Sequence, residues 1–153
     1  MKVLAILLLV MVLLLGCAAM AQGQNDGAVL GELDALKYRL NNVSDTLGPE
    51  LIRLQKAEYR VYEQRERLTL PQRLDAIDLA NEAVARADRY EGEIDSVEQG
   101  LNAAASRYRP AAMSRVNATI AEGKMDILRA DITRLRSDTA ALRLSAERIR
   151  QMV

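Results

Sequence analysis

Apolar residues recur every three or four positions along most of this chain, and that spacing leaves few folds open. Leu33, Leu36, Leu40, Val43 and Leu47 step in this way, and Leu51, Leu54, Ala57, Val61 and Leu68 continue the run. A second run holds Leu74, Ile77, Ala80, Val84, Ala87, Ile94, Val97, Leu101, Ala104 and Tyr108. A third opens with Met113, Val116 and Ile120 and resumes as Met125, Leu128, Ile132, Leu135, Thr139, Leu142, Ala146, Ile149 and Val153. Such steps gather the residues on one narrow face of a helix, as a slender bundle or coiled coil requires. The longer gap between Ile120 and Met125 predicts a register slip near Gly123. There is no long period-two alternation and no hairpin turn between β-branched runs, so strands are not expected.

Three prolines divide the pattern. Proline is tolerated in the first turn of a helix, where its missing N–H would have no partner. Gly48-Pro49 reads as the end of one helix and the start of the next, or as a kink in a single bent helix. Thr69-Leu70-Pro71-Gln72 joins a Thr cap to a Gln three residues later, the pattern of a capping box. Arg109-Pro110 closes one long helix and opens another. The expected segments are 28–47, 49–68, 70–108 and 110–152. The short connection at Tyr108-Arg109-Pro110 makes the last two antiparallel.

Composition narrows the chemistry. Acidic and basic residues balance at 21 each, and Phe, Trp and His are all absent. Without histidine the chain lacks the usual general base near neutral pH and the commonest transition-metal ligand. Charge is nevertheless segregated. Residues 51–73 hold six basic and three acidic side chains, residues 74–98 eight acidic and two basic, and residues 103–124 four basic and one acidic. An acidic helix between basic ones favours antiparallel neighbours, although each exposed pair contributes only about 0.2–1 kcal/mol.

The N-terminal stretch has a different character. Lys2 precedes an apolar run from Val3 to Leu15, the charged start and short greasy middle of a secretory signal peptide. The run ends in Leu14-Leu15-Gly16-Cys17, with the chain's single cysteine last. This resembles the lipobox of bacterial lipoproteins. Leu14 suits the position three before the cysteine and Gly16 the position one before it, while smaller residues than Leu15 are commoner between them. The resemblance implies that residues 1–16 are removed and that the Cys17 thiol receives a diacylglycerol. By their composition residues 17–27 read as a flexible tether, and by their apolar spacing residues 28–153 read as one helical domain. Ala18, in place of aspartate after the cysteine, implies outer-membrane sorting by the rule such lipoproteins follow. Two alternatives stand beside it. Cleavage after Ala21, at Ala19-Met20-Ala21, would release a soluble secreted or periplasmic protein. Retention of Val3 to Ala21 would leave a transmembrane anchor, which needs roughly 20 apolar residues. The stretch around Tyr108-Arg109-Pro110 and Ala121-Glu122-Gly123-Lys124 is similar to Ala/Glu/Arg-rich helical lipoproteins with a Tyr-x-Pro turn. The general plan also resembles the murein lipoproteins, but the chain ends in Gln151-Met152-Val153 and not in the lysine through which they link to peptidoglycan.

No catalytic constellation stands out, and no metal or cofactor site is expected. Asp75, Asp78 and Glu82 share a helical face, an arrangement read as solvated or salt-bridged surface. Asn42-Val43-Ser44 and Asn117-Ala118-Thr119 match a glycosylation pattern but fall inside expected helices. Arg129, Arg134, Arg136, Arg143, Arg148 and Arg150, interleaved with acidic residues, read as a mixed solvent face. Tyr59, Tyr62, Tyr90 and Tyr108 are candidates for core anchors or for partner contacts, where tyrosine is enriched.

The sequence thus predicts an all-α protein, an elongated helical hairpin or coiled-coil bundle of three to four helices after an N-terminal signal helix. The expected function is non-enzymatic: a periplasm-facing structural or interaction module held to a membrane by lipid. A homo-oligomer or a helical protein partner is expected, because a narrow stripe is poorly covered in an isolated hairpin. Neither nucleic acid nor a small-molecule substrate is expected. The other readings are a periplasmic carrier or chaperone with a helical groove, and a membrane-to-membrane tether with an uncleaved anchor.

Overall fold

A computed structural model describes the backbone from residue 2 and the side chains from residue 27 to the end of the chain. Among the described residues there is no strand, and three long helices carry the chain. They are α1 (Lys2–Gln64), α2 (Leu70–Arg107) and α3 (Arg115–Met152). The leader, the Leu14-Leu15-Gly16 stretch and Cys17 lie outside the described side chains. Among the described residues no helix is long and apolar enough to cross a membrane, a statement that does not reach the apolar run of residues 3–21.

Each helix packs against both of the others. Cross-helix polar contacts give the directions. Lys124 to Asp34, Arg134 to Ser44 and Arg148 to Glu58 all link α3 to α1 at a constant offset of 90 residues, so these two run parallel. Partners on α1 and α2 run in opposite directions: Glu32 meets Arg107, Arg39 meets Glu93 and Glu50 meets Arg86. The same holds for α2 and α3. The result is an up-down-up bundle. At 1.5 Å per residue, the 38 residues each of α2 and α3 extend about 57 Å.

The core follows the apolar stripes. On α1, Leu33, Leu40, Leu47, Leu54 and Val61 are buried at intervals of seven, with Leu36 and Val43 between them. On α2, Ala80, Ala87, Ile94 and Leu101 repeat likewise, joined by Ala83, Val97 and Ala104. On α3, Ala121, Leu128, Leu135, Leu142 and Ile149 form one seven-residue series, and Met125, Ile132, Thr139 and Ala146 the other. The Thr139 hydroxyl is satisfied inside its own helix, donating to the Leu135 carbonyl at 2.8 Å.

Three expectations are corrected here, and one open choice is decided. Of the two readings of Gly48-Pro49, the single helix holds: Pro49 lies inside α1. Burial of Leu47 and Leu54 on either side holds the helix through the proline, whose ring sits on the exposed face. Pro110 does not open α3 but begins a single 3₁₀ turn, Pro110–Ala112. Helix α3 starts at a later cap, where the Ser114 hydroxyl accepts from the Asn117 N–H at 3.2 Å. The register does not slip near Gly123, because the buried position is Ala121 and not Ile120, which is 42% exposed. Similarly Ala83 and not Val84 is the buried residue on α2. The Thr69–Gln72 box does form, with the Thr69 N–H donating to Gln72 Oε1 at 2.9 Å.

Close approach of α1 to α2 depends on Gly100. A Cβ there would lie 2.8 Å from Leu36 Cδ2. Gly100→Ala is expected to be near neutral, since a gain of roughly 1 kcal/mol in helix propensity offsets a small shift of the Leu36 methyl. Gly100→Leu should lower stability by about 1–3 kcal/mol through overpacking. Urea unfolding of the two variants checks both signs.

Candidate functional site

The four tyrosines are not brought together. Tyr108 follows α2 at the level of Ala28 to Glu32 of α1, Tyr90 sits midway, and Tyr59 and Tyr62 lie at the other end near the C-terminus of α3. They also differ in environment. Tyr90 and Tyr108 pack against the core. Tyr59 and Tyr62 are 61% and 63% exposed, so the core-anchor reading fails for them.

The inner tyrosines use their hydroxyls within the fold. Tyr90 donates to Glu50 Oε2 at 2.8 Å, and Arg86 donates to the other carboxylate oxygen at 2.6 Å. One glutamate on α1 thus binds two residues of α2 one turn apart. Tyr108 reaches across the α2–α3 turn, with its hydroxyl 3.1 Å from the Ala118 carbonyl and 3.0 Å from Glu122 Oε1. Burial first, and with it the hydrogen bond to Glu50, raise the Tyr90 hydroxyl above its ordinary value of 10.0, against an opposing hydrogen bond with Thr46. Burial and then Glu122 raise Tyr108 in the same direction.

A raised value means that folded Tyr90 and Tyr108 keep their protons at a pH where the unfolded chain loses them. Their contribution is whole below pH 10.0 and declines as the pH climbs above it. Tyr90→Phe and Tyr108→Phe should each flatten the alkaline limb of a stability-versus-pH curve measured by urea unfolding. An unchanged limb in both would show that these hydroxyls titrate as they do in the open chain.

The outer pair shapes a surface. Tyr59 and Tyr62 line an open groove of about 410 Å³ with Gln55, Glu58, Arg148 and Met152. Tyr59 donates to Glu63 one turn on, at 2.5 Å. Leu70 and Leu74, 70% and 53% exposed, begin α2 at this same end. No protein family, curated protein or solved structure matches the chain. Its surface therefore has to be read from its own chemistry.

That chemistry is dominated by arginine–carboxylate pairs between helices. Arg136, Arg143 and Arg150 stand seven residues apart on α3 and meet acceptors on α2. Arg136 takes Asp95 at 2.7 Å and Glu98 at 2.6 Å, and Arg143 takes Asp88 at 2.6 Å and Glu91 at 2.5 Å. Arg150 takes Asn81 at 2.5 Å. The acidic segment does find cations, but mainly on α3 and on α1 through Arg39, not in the basic stretches 51–73 and 103–124. Arg129, Arg134 and Arg148 also pair, with Asp126, with Asp131 and Asp138, and with Glu58. The C-terminal arginines are thus a pairing surface as much as a solvent face. Their seven-residue spacing was the sequence signal for it.

Asp75, Asp78 and Glu82 are exposed, and Glu82 pairs with Arg86 at 3.3 Å. Among the described residues no group of three or more carboxylate, cysteine or histidine side chains is placed to hold a metal ion.

Proposed function

We propose that the chain is a lipid-anchored, non-enzymatic module of a bacterial cell envelope, a coiled-coil bundle that holds an interaction surface away from a membrane. The observation that carries the reading is the apolar run ending in Leu14-Leu15-Gly16-Cys17, from which α1 continues into the bundle. Buried positions at seven-residue intervals on all three helices support the coiled-coil reading. The outer membrane, with the bundle facing the periplasm, is the location the residue after the cysteine favours.

The far end supplies the interaction surface. The three stripes cover one another within the bundle, so association would rest not on an uncovered seam but on the exposed Tyr59, Tyr62, Leu70 and Leu74. Their exposed rings and methyls, with Arg60, Arg65 and Arg67 nearby, suit a second copy of this chain or a helical protein partner. Sedimentation equilibrium should show association that weakens in Tyr59→Ala/Tyr62→Ala. An ideal monomer at high concentration would remove this part of the proposal.

Mass spectrometry of the N-terminal peptide from native membranes tests the anchor. The expected peptide begins at an acylated Cys17. An N-terminus at Gln22 makes the protein a soluble secreted one, and an intact Met1 start makes the apolar run a retained span.

A further inference from the structure

The α2–α3 turn is placed beside the part of α1 that follows the anchor. Arg107 clamps Glu32 with two hydrogen bonds, of 2.9 and 2.8 Å. Ala28 and Val29 share a surface cleft with Arg109 and Met113. From Cys17 to Gly27 the chain spans about 15 Å along α1 and at most about 36 Å if fully extended. An acylated Cys17 therefore keeps this end of the bundle within that distance of a bilayer. The Tyr59–Tyr62 end stands about 57 Å further along the helices.

The surface at the turn has the composition of an interfacial contact. Val116 is 68% exposed and Ile120 42%, one turn apart on the same face of α3. Arg115 is exposed beside them and has no carboxylate partner among the described residues, and Arg109 is exposed on the turn itself. Among the described residues the Arg109 guanidinium bonds to carbonyls, those of Ser106 at 2.7 Å and Tyr108 at 3.0 Å. Among the described residues Glu32 is paired with Arg107 and Asp34 with Lys124, while Glu122 accepts from the neutral Tyr108 hydroxyl and keeps its charge, so Arg109 and Arg115 leave this surface net positive. Net positive charge beside exposed aliphatic side chains suits an anionic headgroup layer, where apolar groups sink to the acyl boundary and arginines stay among phosphates.

We propose that the α2–α3 turn is a foot that rests on the anionic phospholipid surface holding the lipidated N-terminus, with Val116 and Ile120 entering the interface and Arg109 and Arg115 against phosphates. This rests on the lipid-anchor reading. Tethering brings the turn to the bilayer at high effective concentration, so weak headgroup contacts suffice. The bundle would then stand with its tyrosine end directed away from the membrane.

The chain has no tryptophan, so a single one is a clean reporter. The full acylated protein, purified from bacterial membranes as Val116→Trp or Tyr62→Trp, is reconstituted into vesicles containing phosphatidylglycerol with brominated acyl chains. Circular dichroism matching the parent shows that each variant is folded. At position 116 the emission should shift to the blue and be quenched, and at position 62 it should do neither. Adding Arg115→Glu to Val116→Trp should lower the quenched fraction severalfold, as should all-phosphatidylcholine vesicles. Vesicle flotation and the N-terminal mass are read on the same sample. If the protein floats with an acylated Cys17 while position 116 stays unquenched, the foot is refuted and the anchor stands. Equal quenching at 62 and 116, or indifference to both lipid charge and Arg115→Glu, also refutes it. Failure to float, or a mass without acyl groups, removes the anchor and the foot together.

Discussion

Leu135→Ala is expected to lower the unfolding free energy by about 2–5 kcal/mol. Leu135 is 1% exposed and belongs to the continuous core cluster. Its neighbour Arg136 reaches Asp95 and Glu98, which places Leu135 at the level of the buried Ile94 and Val97 on α2. At that level the core has no large aromatic to slide into the space, and the adjoining side chains are fixed in rods that cannot close independently. A cavity is therefore retained. Small domains have only about 5–15 kcal/mol of net stability, so one such cavity removes a large share. Ile127→Ala is the control, since Ile127 is 55% exposed and should change stability by no more than about 0.5 kcal/mol. Urea midpoints read by circular dichroism test the pair, and equal effects at 127 and 135 would mean that the α3 stripe does not face the core.

Much of this core can be read directly from sequence spacing, and its exceptions share a cause. The stripe rule ranks Ile120 above Ala121 and Val84 above Ala83 because it counts apolarity alone. In the bundle the alanines are buried because they, and not their larger neighbours, fall on the seven-residue series that faces the other helices. The Thr69–Gln72 box was visible because both partners lie within one turn. The Ser114 cap was not, since Pro110 looked like a helix start and its fixed φ also suits the 3₁₀ turn that it in fact begins. A local rule cannot choose between the two.

The candidate surface was less legible, for a related reason. Tyr59, Tyr62, Tyr90 and Tyr108 look alike as residue types. Tyr90 lies seven residues from Ala83 and Val97, and Tyr108 seven from Leu101, so both continue a buried series. Tyr59 and Tyr62 flank the buried Val61 without sharing its series, which sends both rings outward. The ion pairs divide in the same way. Those within a helix, such as Arg129 with Asp126, follow from i,i+3 and i,i+4 spacing. Those between α1 and α3, such as Arg148 with Glu58 and Lys124 with Asp34, depend on an offset of 90 residues that no local pattern contains.

Pro49→Ala should raise stability by about 2 kcal/mol, an unusual sign for a proline replacement. Proline inside a helix costs about 3 kcal/mol through the missing hydrogen bond and the clash of its ring with the preceding turn. Here Asp45 is the residue whose carbonyl is left without the usual donor, and alanine at 49 supplies the N–H. Part of the gain is returned, because proline also restricts the unfolded chain by roughly 0.4–1 kcal/mol. The Thr46 hydroxyl, shared between the Asn42 and Val43 carbonyls at 3.0 Å, competes with the helix ladder on the turn before the proline. Gly48→Ala should contribute a further 0.5–1 kcal/mol by roughly the difference in helix propensity, as a Cβ there meets nothing within 4 Å. The sign distinguishes two architectures. Were the chain to break into separate helices at Gly48-Pro49, proline would occupy a favoured first-turn position and both replacements would be neutral or destabilising. Urea unfolding of the double variant decides between them. A loss of stability would mean that α1 is not one helix and that Leu47 and Leu54 do not share a continuous stripe.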